Sequence, residues 1–205
     1  MKKIKNILFD LGGVIFPLSF QATIDAFLKN GATCSDNNFF QKLCSDANLE
    51  HLFETGRCTA AEYRREFNKI FECNIDDNTF DSCWNAMILG YPDINNTLLH
   101  NLKSKGYNLY ILSNINEIHV QYVEQLAQWP KDLFVKKYYS NEIHLAKPHK
   151  ECYEYVINDS KIDPQETLYI DDRADNAETG RKMGFNTINL PQNGDLYKEL
   201  LFLTK

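Results

Sequence analysis

The chain has no long apolar run. Nowhere in its 205 residues does an uninterrupted hydrophobic segment approach the ~20 residues that a membrane-crossing helix needs, so a spanning segment is not expected. It is also short of positive charge. Twenty-two Lys and Arg against 28 Asp and Glu leave a net charge of -6, which gives no basic footprint for nucleic acid. None of the six cysteines (Cys34, Cys44, Cys58, Cys73, Cys83, Cys152) stands in a C-x-x-C pair. Free thiols in a reducing cytosol are therefore expected, rather than disulfides or zinc. The opening "MKKIKN" imitates the basic start of a secretory signal, but Asp10 interrupts the apolar residues that follow, and no small-residue cleavage site comes after "VIFPLSF". A cytoplasmic protein is the expectation. Repeats and low-complexity linkers are lacking too.

What is present begins with "NILFDLGGVIF", an apolar run that holds one aspartate, Asp10. A carboxylate inside a buried strand costs several kcal/mol unless it is paired or bound to a metal. Asp10 therefore either belongs to an ordinary strand-ending turn or has partners elsewhere in the chain. With 43% hydrophobic residues, the sequence can build one full core and a small accessory unit.

From about Pro92 onward, helical and strand-like segments alternate with the period of β-α units. "YNLYILSN", "LFVKKYYS", "TLYIDD" and "NTINL" read as strands. Between them, "NNTLLHNLKSKG", "EIHVQYVEQLAQ", "HKECYEYVIND" and "ADNAETGRKMG" read as helices, and "DLYKELLFL" as a terminal one. The pattern predicts an α/β fold with a doubly wound parallel sheet. Residues 19–89 differ, carrying helical spacing without a convincing strand. There "FQATIDAFLKNG", "NNFFQKLCSDANLEHLFETG", "TAAEYRREFNKIF" and "DNTFDSCWNAMIL" predict a helical bundle inserted after the first strand. The expected division is a core of residues 1–18 and 90–205 with a helical cap of 19–89.

Ligands of open parallel sheets bind beyond the carboxyl ends of the strands. Those ends carry Asp10, Ser113 with Asn114, and Asp171 with Asp172, while Lys147 lies in the loop "NEIHLAKP". Taken singly, each has a plainer reading: an Asx turn, a helix N-cap, a solvated lysine before a helix-starting proline. In order along one sheet, they place a carboxylate, a hydroxyl, a lysine and a carboxylate pair on one face, and Asp10 then has its partners.

"FDLGGV", "ILSN", "AKPHKECY" and "YIDDRADN" are similar, in order and spacing, to the four motifs of the haloacid dehalogenase superfamily. Over nearly the whole chain the sequence resembles its phosphatases with a helical cap after the first strand, and among these the bacterial glucose-1-phosphate phosphatase group. The resemblance implies a Rossmann-like core and a Mg²⁺-dependent phosphomonoesterase acting on small sugar or metabolite phosphates. By that pattern Asp10 is the nucleophile, forming an aspartyl phosphate. Mg²⁺ takes Asp10, the carbonyl of Gly12 and Asp172, with Asp171 acting mostly through water and hydrogen bonds. Lys147, Ser113 and the amides of Asn114, Gly12 and Gly13 receive the phosphoryl oxygens, and Asn176 supports the metal ligands from behind.

The sequence departs from the pattern at Gly12, where these phosphatases usually carry a second aspartate as general acid. With no acid there, a leaving group of low pKa, such as an anomeric oxygen, needs least help. A second departure is His144, where glycine is common; it is either a substitute acid or base, or a loop histidine bonded to a backbone carbonyl. Arg57, Arg64 and Arg65 of the insert either reach the substrate or form a solvated face. Two other functions share the motifs: a haloacid dehalogenase, and a catalytically inactive binding or regulatory protein. The pair Asp171–Asp172 argues against the first, because dehalogenation needs no metal and two bare carboxylates repel a carboxylate substrate.

Overall fold

The computed structural model describes residues 2–33, 39–45 and 48–204. Its centre is a five-stranded parallel sheet of β1 (Asn6–Phe9), β2 (Asn108–Ser113), β3 (Lys136–Tyr139), β4 (Thr167–Asp171) and β5 (Asn186–Asn189), in the order β3-β2-β1-β4-β5. β1 is central. Ile7 pairs with Leu109 on one side and Leu168 on the other, so "NILF" is buried throughout, as a strand covered on both faces must be. The expected doubly wound parallel sheet is the observed one.

Between β1 and β2 the chain forms α1 (Phe20–Lys29), α2 (Phe39–Ser45), α3 (Leu49–Glu54), α4 (Ala60–Ile70), α5 (Asp77–Asn85) and α6 (Asp93–Ser104). Local chemistry sets their starts. Ser19 and Asp76 cap α1 and α5, and Thr59 with Glu62 forms a capping box at α4. The segment "NNFFQKLCSDANLEHLFETG", expected to be one helix, is two: Asn48 precedes α3 with φ of 57°, a left-handed turn that a continuous helix cannot hold. Asp46 and Ala47, within that segment, lie outside the described residues, as does Cys34.

After β2 come α7 (Glu117–Ala127), the short α8 (Ser140–Ile143) behind β3, α9 (Lys150–Ser160), α10 (Ala174–Lys182) and α11 (Leu196–Thr204). One apolar cluster lies on the face of the sheet that carries Ile7, Phe9, Ile111 and Ile170; another lies on the face of Leu8, Tyr110 and Tyr169. A third belongs almost wholly to residues 24–84, built on Phe27, Phe39, Phe67, Phe80 and Trp84. Phe27 packs against Phe67 at 4.4 Å between centroids and Phe80 at 5.0 Å. Each such buried aromatic contributes about 1.5–3 kcal/mol, which gives the inserted helices a core of their own. Cys58, Cys73, Cys83 and Cys152 are free thiols, and no helix among the described residues is long and apolar enough to cross a membrane.

Candidate active site

Asp10 follows β1 directly, at the carboxyl edge of the sheet. Its neighbours arrive from the adjacent strand ends, because parallel pairing with β2 and β4 brings all three ends to one edge. The Lys147 ammonium lies 3.0 Å from Asp10 Oδ1 and 2.6 Å from Asp171 Oδ2, all three buried. Burial would lower the Lys147 pKa, but the two carboxylates hold it above its ordinary value. Burial pushes Asp10 up, against the opposing charge of Lys147.

Asp171 shows the reverse. It is completely buried, yet four donors saturate it: Lys147 Nζ and the Tyr169 hydroxyl, at 2.6 and 2.5 Å, on Oδ2, and the Arg173 amide and Asn176 Nδ2, at 2.9 and 3.0 Å, on Oδ1. Burial alone would raise its pKa; Lys147 and these hydrogen bonds hold it below the ordinary value. Asp171 is thus the fixed counter-charge of Lys147. Tyr169 was missed in the sequence, although the two-residue period of "TLYID" puts residues 169 and 171 on one face of β4. Asp172 is half-buried, and burial with the charge of Asp171 raises its carboxyl.

Asn114 clamps the loop that carries Lys147: its Nδ2 donates to the Lys147 carbonyl and its Oδ1 accepts the Lys147 amide, both at 2.8 Å. Its side chain therefore positions the lysine. The Ser113 hydroxyl has only a 3.5 Å contact with the carbonyl of the next residue, at the limit of a hydrogen bond. Gly13 requires correction in one respect. Its amide donates to the Phe16 carbonyl at 2.9 Å, so it is not free for a phosphoryl oxygen. Its role is room: φ is +74°, and a Cβ there would lie 2.2 Å from Asp172 Oδ2.

His144 is seated at a backbone carbonyl, the second of its two sequence readings. Its Nδ1 lies 2.8 Å from the Thr55 carbonyl, and since a carbonyl only accepts, that nitrogen carries the proton. The ring is not on the wall of the cavity around Asp10. The three insert arginines are away from that wall as well. Arg64 is bidentate to Asp81, Arg65 pairs with Glu66, and Arg57 is exposed. An arginine that the sequence reading passed over, Arg173, does line the cavity.

That cavity, about 320 Å³, holds Asp10, Ser113, Asn114, Lys147, Asp172 and Asn176 at its floor. Its roof comes from the inserted helices through Phe20, Glu50, Glu54 and Trp84. Carboxylate oxygens of Asp10, Asp171 and Asp172 fall within 4.8 Å of one another, an all-oxygen set suited to a hard divalent cation. Three carboxylates facing one ammonium leave two excess negative charges for such an ion to neutralise. Asn176 Oδ1, buried beside them, has no hydrogen-bond partner, and a metal-bound water would satisfy it. The residues fit Mg²⁺.

The strand ends thus bring an aspartate, a buried lysine and a carboxylate pair to the carboxyl edge of a parallel α/β sheet. Residues 4–184 match the family model of haloacid dehalogenase-like hydrolases, and the chain belongs to that family. It is 29% identical over 208 residues to the D-ribitol-5-phosphate phosphatase of Bacteroides thetaiotaomicron, covering 97% of each chain. A haloacid dehalogenase family enzyme of the same organism, crystallised with magnesium and inorganic phosphate, superposes with a TM-score of 0.87 at 32% identity, over 96% of this chain and 98% of that one. A predicted haloacid dehalogenase-like hydrolase from Porphyromonas gingivalis gives 0.84 at 25% identity, over 98% and 97%.

Proposed function

We propose that the protein is a Mg²⁺-dependent phosphomonoesterase of small sugar or polyol phosphates, working through an aspartyl phosphate on Asp10. The observation that carries this reading is Asp10 at the end of β1, 3.0 Å from a lysine that Asp171 also holds. The similarity to a D-ribitol-5-phosphate phosphatase supports the substrate class. Residues 1–18 and 90–205 serve as the catalytic core and 19–89 as a cap, a division supported by the separate apolar cluster of the insert and its share of the cavity roof.

Asp10 and Asp172, with the Gly12 carbonyl, would hold Mg²⁺, and Asp171 would contribute through hydrogen bonds. Bound there, the ion supplies positive charge that lets a phosphate dianion approach a carboxylate. Asp10 attacks phosphorus, the ester oxygen departs, and water then attacks the phosphoryl group and returns Asp10 as a carboxylate. Lys147 and the Ser113 hydroxyl hold the phosphoryl oxygens, a preorganised cradle for the charge that develops on them. The excess of carboxylates disfavours a haloacid substrate, itself an anion that needs no metal.

The test is Asp10→Asn. The amide keeps the shape but is a poor nucleophile, so Mg²⁺-dependent phosphate release from p-nitrophenyl phosphate is expected to fall by at least ~100-fold with an unchanged circular dichroism spectrum. Activity retained near the wild-type level would remove Asp10 from the nucleophile's role.

A further inference from the structure

Gly12 leaves no acid beside the nucleophile, and the structure fills the vacant volume with hydrocarbon: a Cβ at Gly12 would come within 2.7 Å of Leu18 Cδ1. A proton donor for the leaving oxygen has to come from elsewhere on the cavity wall. Among the described residues there, His119 is unsuited. Its Nε2 lies 3.1 Å from the Trp84 carbonyl, its Nδ1 accepts from Asn116 Nδ2, and burial lowers its pKa to about 4, so the ring is neutral with its one proton committed. Lys147 is locked between two carboxylates, Asp172 belongs to the metal set, and Arg173 is too weak an acid.

Glu50 and Glu54 remain, on the first and last turns of α3. At Glu54 the backbone is held from the core side. The hydroxyl of Ser140, the first residue of α8, donates to the Glu54 carbonyl at 2.5 Å. His144 Nδ1 donates to the Thr55 carbonyl at 2.8 Å. Gly56, with φ of +64°, runs so close to the core that a Cβ would lie 2.1 Å from the Asn141 carbonyl oxygen. Three successive residues are thus fastened to segment 140–144, and the first of them, Glu54, lines the cavity that contains Asp10, its carboxyl within reach of the charges of Lys147, Asp10 and Arg173.

We propose that Glu54 protonates the leaving oxygen, in place of the carboxylate that Gly12 lacks; this rests on the phosphomonoesterase reading above. As the bond from Asp10 to phosphorus forms, the ester P–O bond breaks, its electron pair passes to the ester oxygen, and that oxygen takes the Glu54 proton. In the second step water attacks phosphorus and gives its proton back to Glu54, while the Asp10–phosphorus bond returns its electron pair to Asp10. Both half-reactions balance and restore the enzyme. Burial raises Glu54 to about 7, Glu50 and Asp10 push the same way, and Arg173 and Lys147 oppose them. Such an acid is poised to donate near neutral pH.

The experiment measures kcat/KM, with saturating Mg²⁺, for D-ribitol 5-phosphate and for aryl phosphates of graded phenol pKa, at about one unit below and above pH 7. The wild type is expected to show a shallow dependence on leaving-group pKa at the lower pH and a steeper one at the higher. Glu54→Gln is expected to lose ~100-fold or more on D-ribitol 5-phosphate but no more than ~5-fold on 2,4-dinitrophenyl phosphate, whose leaving group needs no proton. Its slope is steep at both pH values and its Mg²⁺ half-saturation is unchanged. An equal loss on every ester, or no loss, would overturn the assignment. If the variant does not fold, the wild type decides: a slope that is the same at both pH values rejects Glu54. A wild type that hydrolyses no phosphate ester, 2,4-dinitrophenyl phosphate included, would instead reject the phosphomonoesterase reading itself.

Discussion

Lys147 is the residue on which the site's electrostatics turn. Removing one partner of a buried ion pair leaves uncompensated charge, at a cost of about 3–5 kcal/mol, and Lys147 serves two carboxylates. Lys147→Met is expected to lower stability by that order in urea titrations near neutral pH, with part of the loss recovered at lower pH, where Asp10 and Asp171 take up protons. A loss independent of pH would contradict the pairing. Gly13→Ala tests the room around Asp172. The new methyl would fall 2.2 Å from Asp172 Oδ2 on a backbone at φ +74°, so the expected outcome is a Mg²⁺ half-saturation raised by about tenfold or more, one such factor being 1.4 kcal/mol. An unchanged titration would place the ion away from Asp172. Tyr169 is a subtler case, legible only through the strand's period, since its hydroxyl matters because Asp171 is there to accept it. Tyr169→Phe should cost about 1.5–3 kcal/mol, the value of a hydrogen bond to a charged group.

At the scale of elements, the strands were legible because apolar runs bounded by turns repeat along the chain, and β1 ends directly before Asp10, β2 at Ser113 and β4 at Asp171, where the sequence put them. The insert was legible as helical but not in its breaks, since the left-handed Asn48 that divides α2 from α3 leaves no mark in helical spacing. Contacts between distant elements were not legible at all. Ser140 and the end of α3 are 86 residues apart, and nothing in "YYSNEI" announces a bond to the insert. His119 is a similar link, joining α7 to the Trp84 carbonyl of α5 and stacked on the Trp84 ring at 5.5 Å. Its folded pKa of about 4 lies below the unfolded value of 6.5, so the unfolded chain binds more protons between those limits. The stability it contributes is complete above pH 6.5 and is lost as pH falls towards 4, roughly 3 kcal/mol at most. His119→Gln should flatten the rise in urea midpoint between pH 4.5 and pH 6.5, about the window just given. A rise as steep as in the wild type would assign it to other groups.

For the molecule as a whole, the division of labour follows from where each unit's chemistry comes. The sheet's carboxyl edge supplies Asp10, Lys147 and the carboxylate pair, while the inserted helices close the cavity with Glu50, Glu54 and Trp84. The half of this arrangement on the sheet edge was readable because four ordered motifs fix it; the half from the inserted helices was not, because its cavity residues are set by how α3 and α5 seat against the sheet. Gly12 looked like a missing function in the sequence, and in three dimensions it is a place where Leu18 packs. The central claim is that this site releases phosphate from a polyol phosphate with Mg²⁺ and Asp10. The most direct measurement is the initial rate of phosphate release from D-ribitol 5-phosphate by the purified protein, with Mg²⁺ and with excess chelator, beside Asp10→Asn. The account predicts release that needs the metal and falls by at least ~100-fold in the variant; release that persists in chelator, or that Asp10→Asn leaves intact, would contradict it.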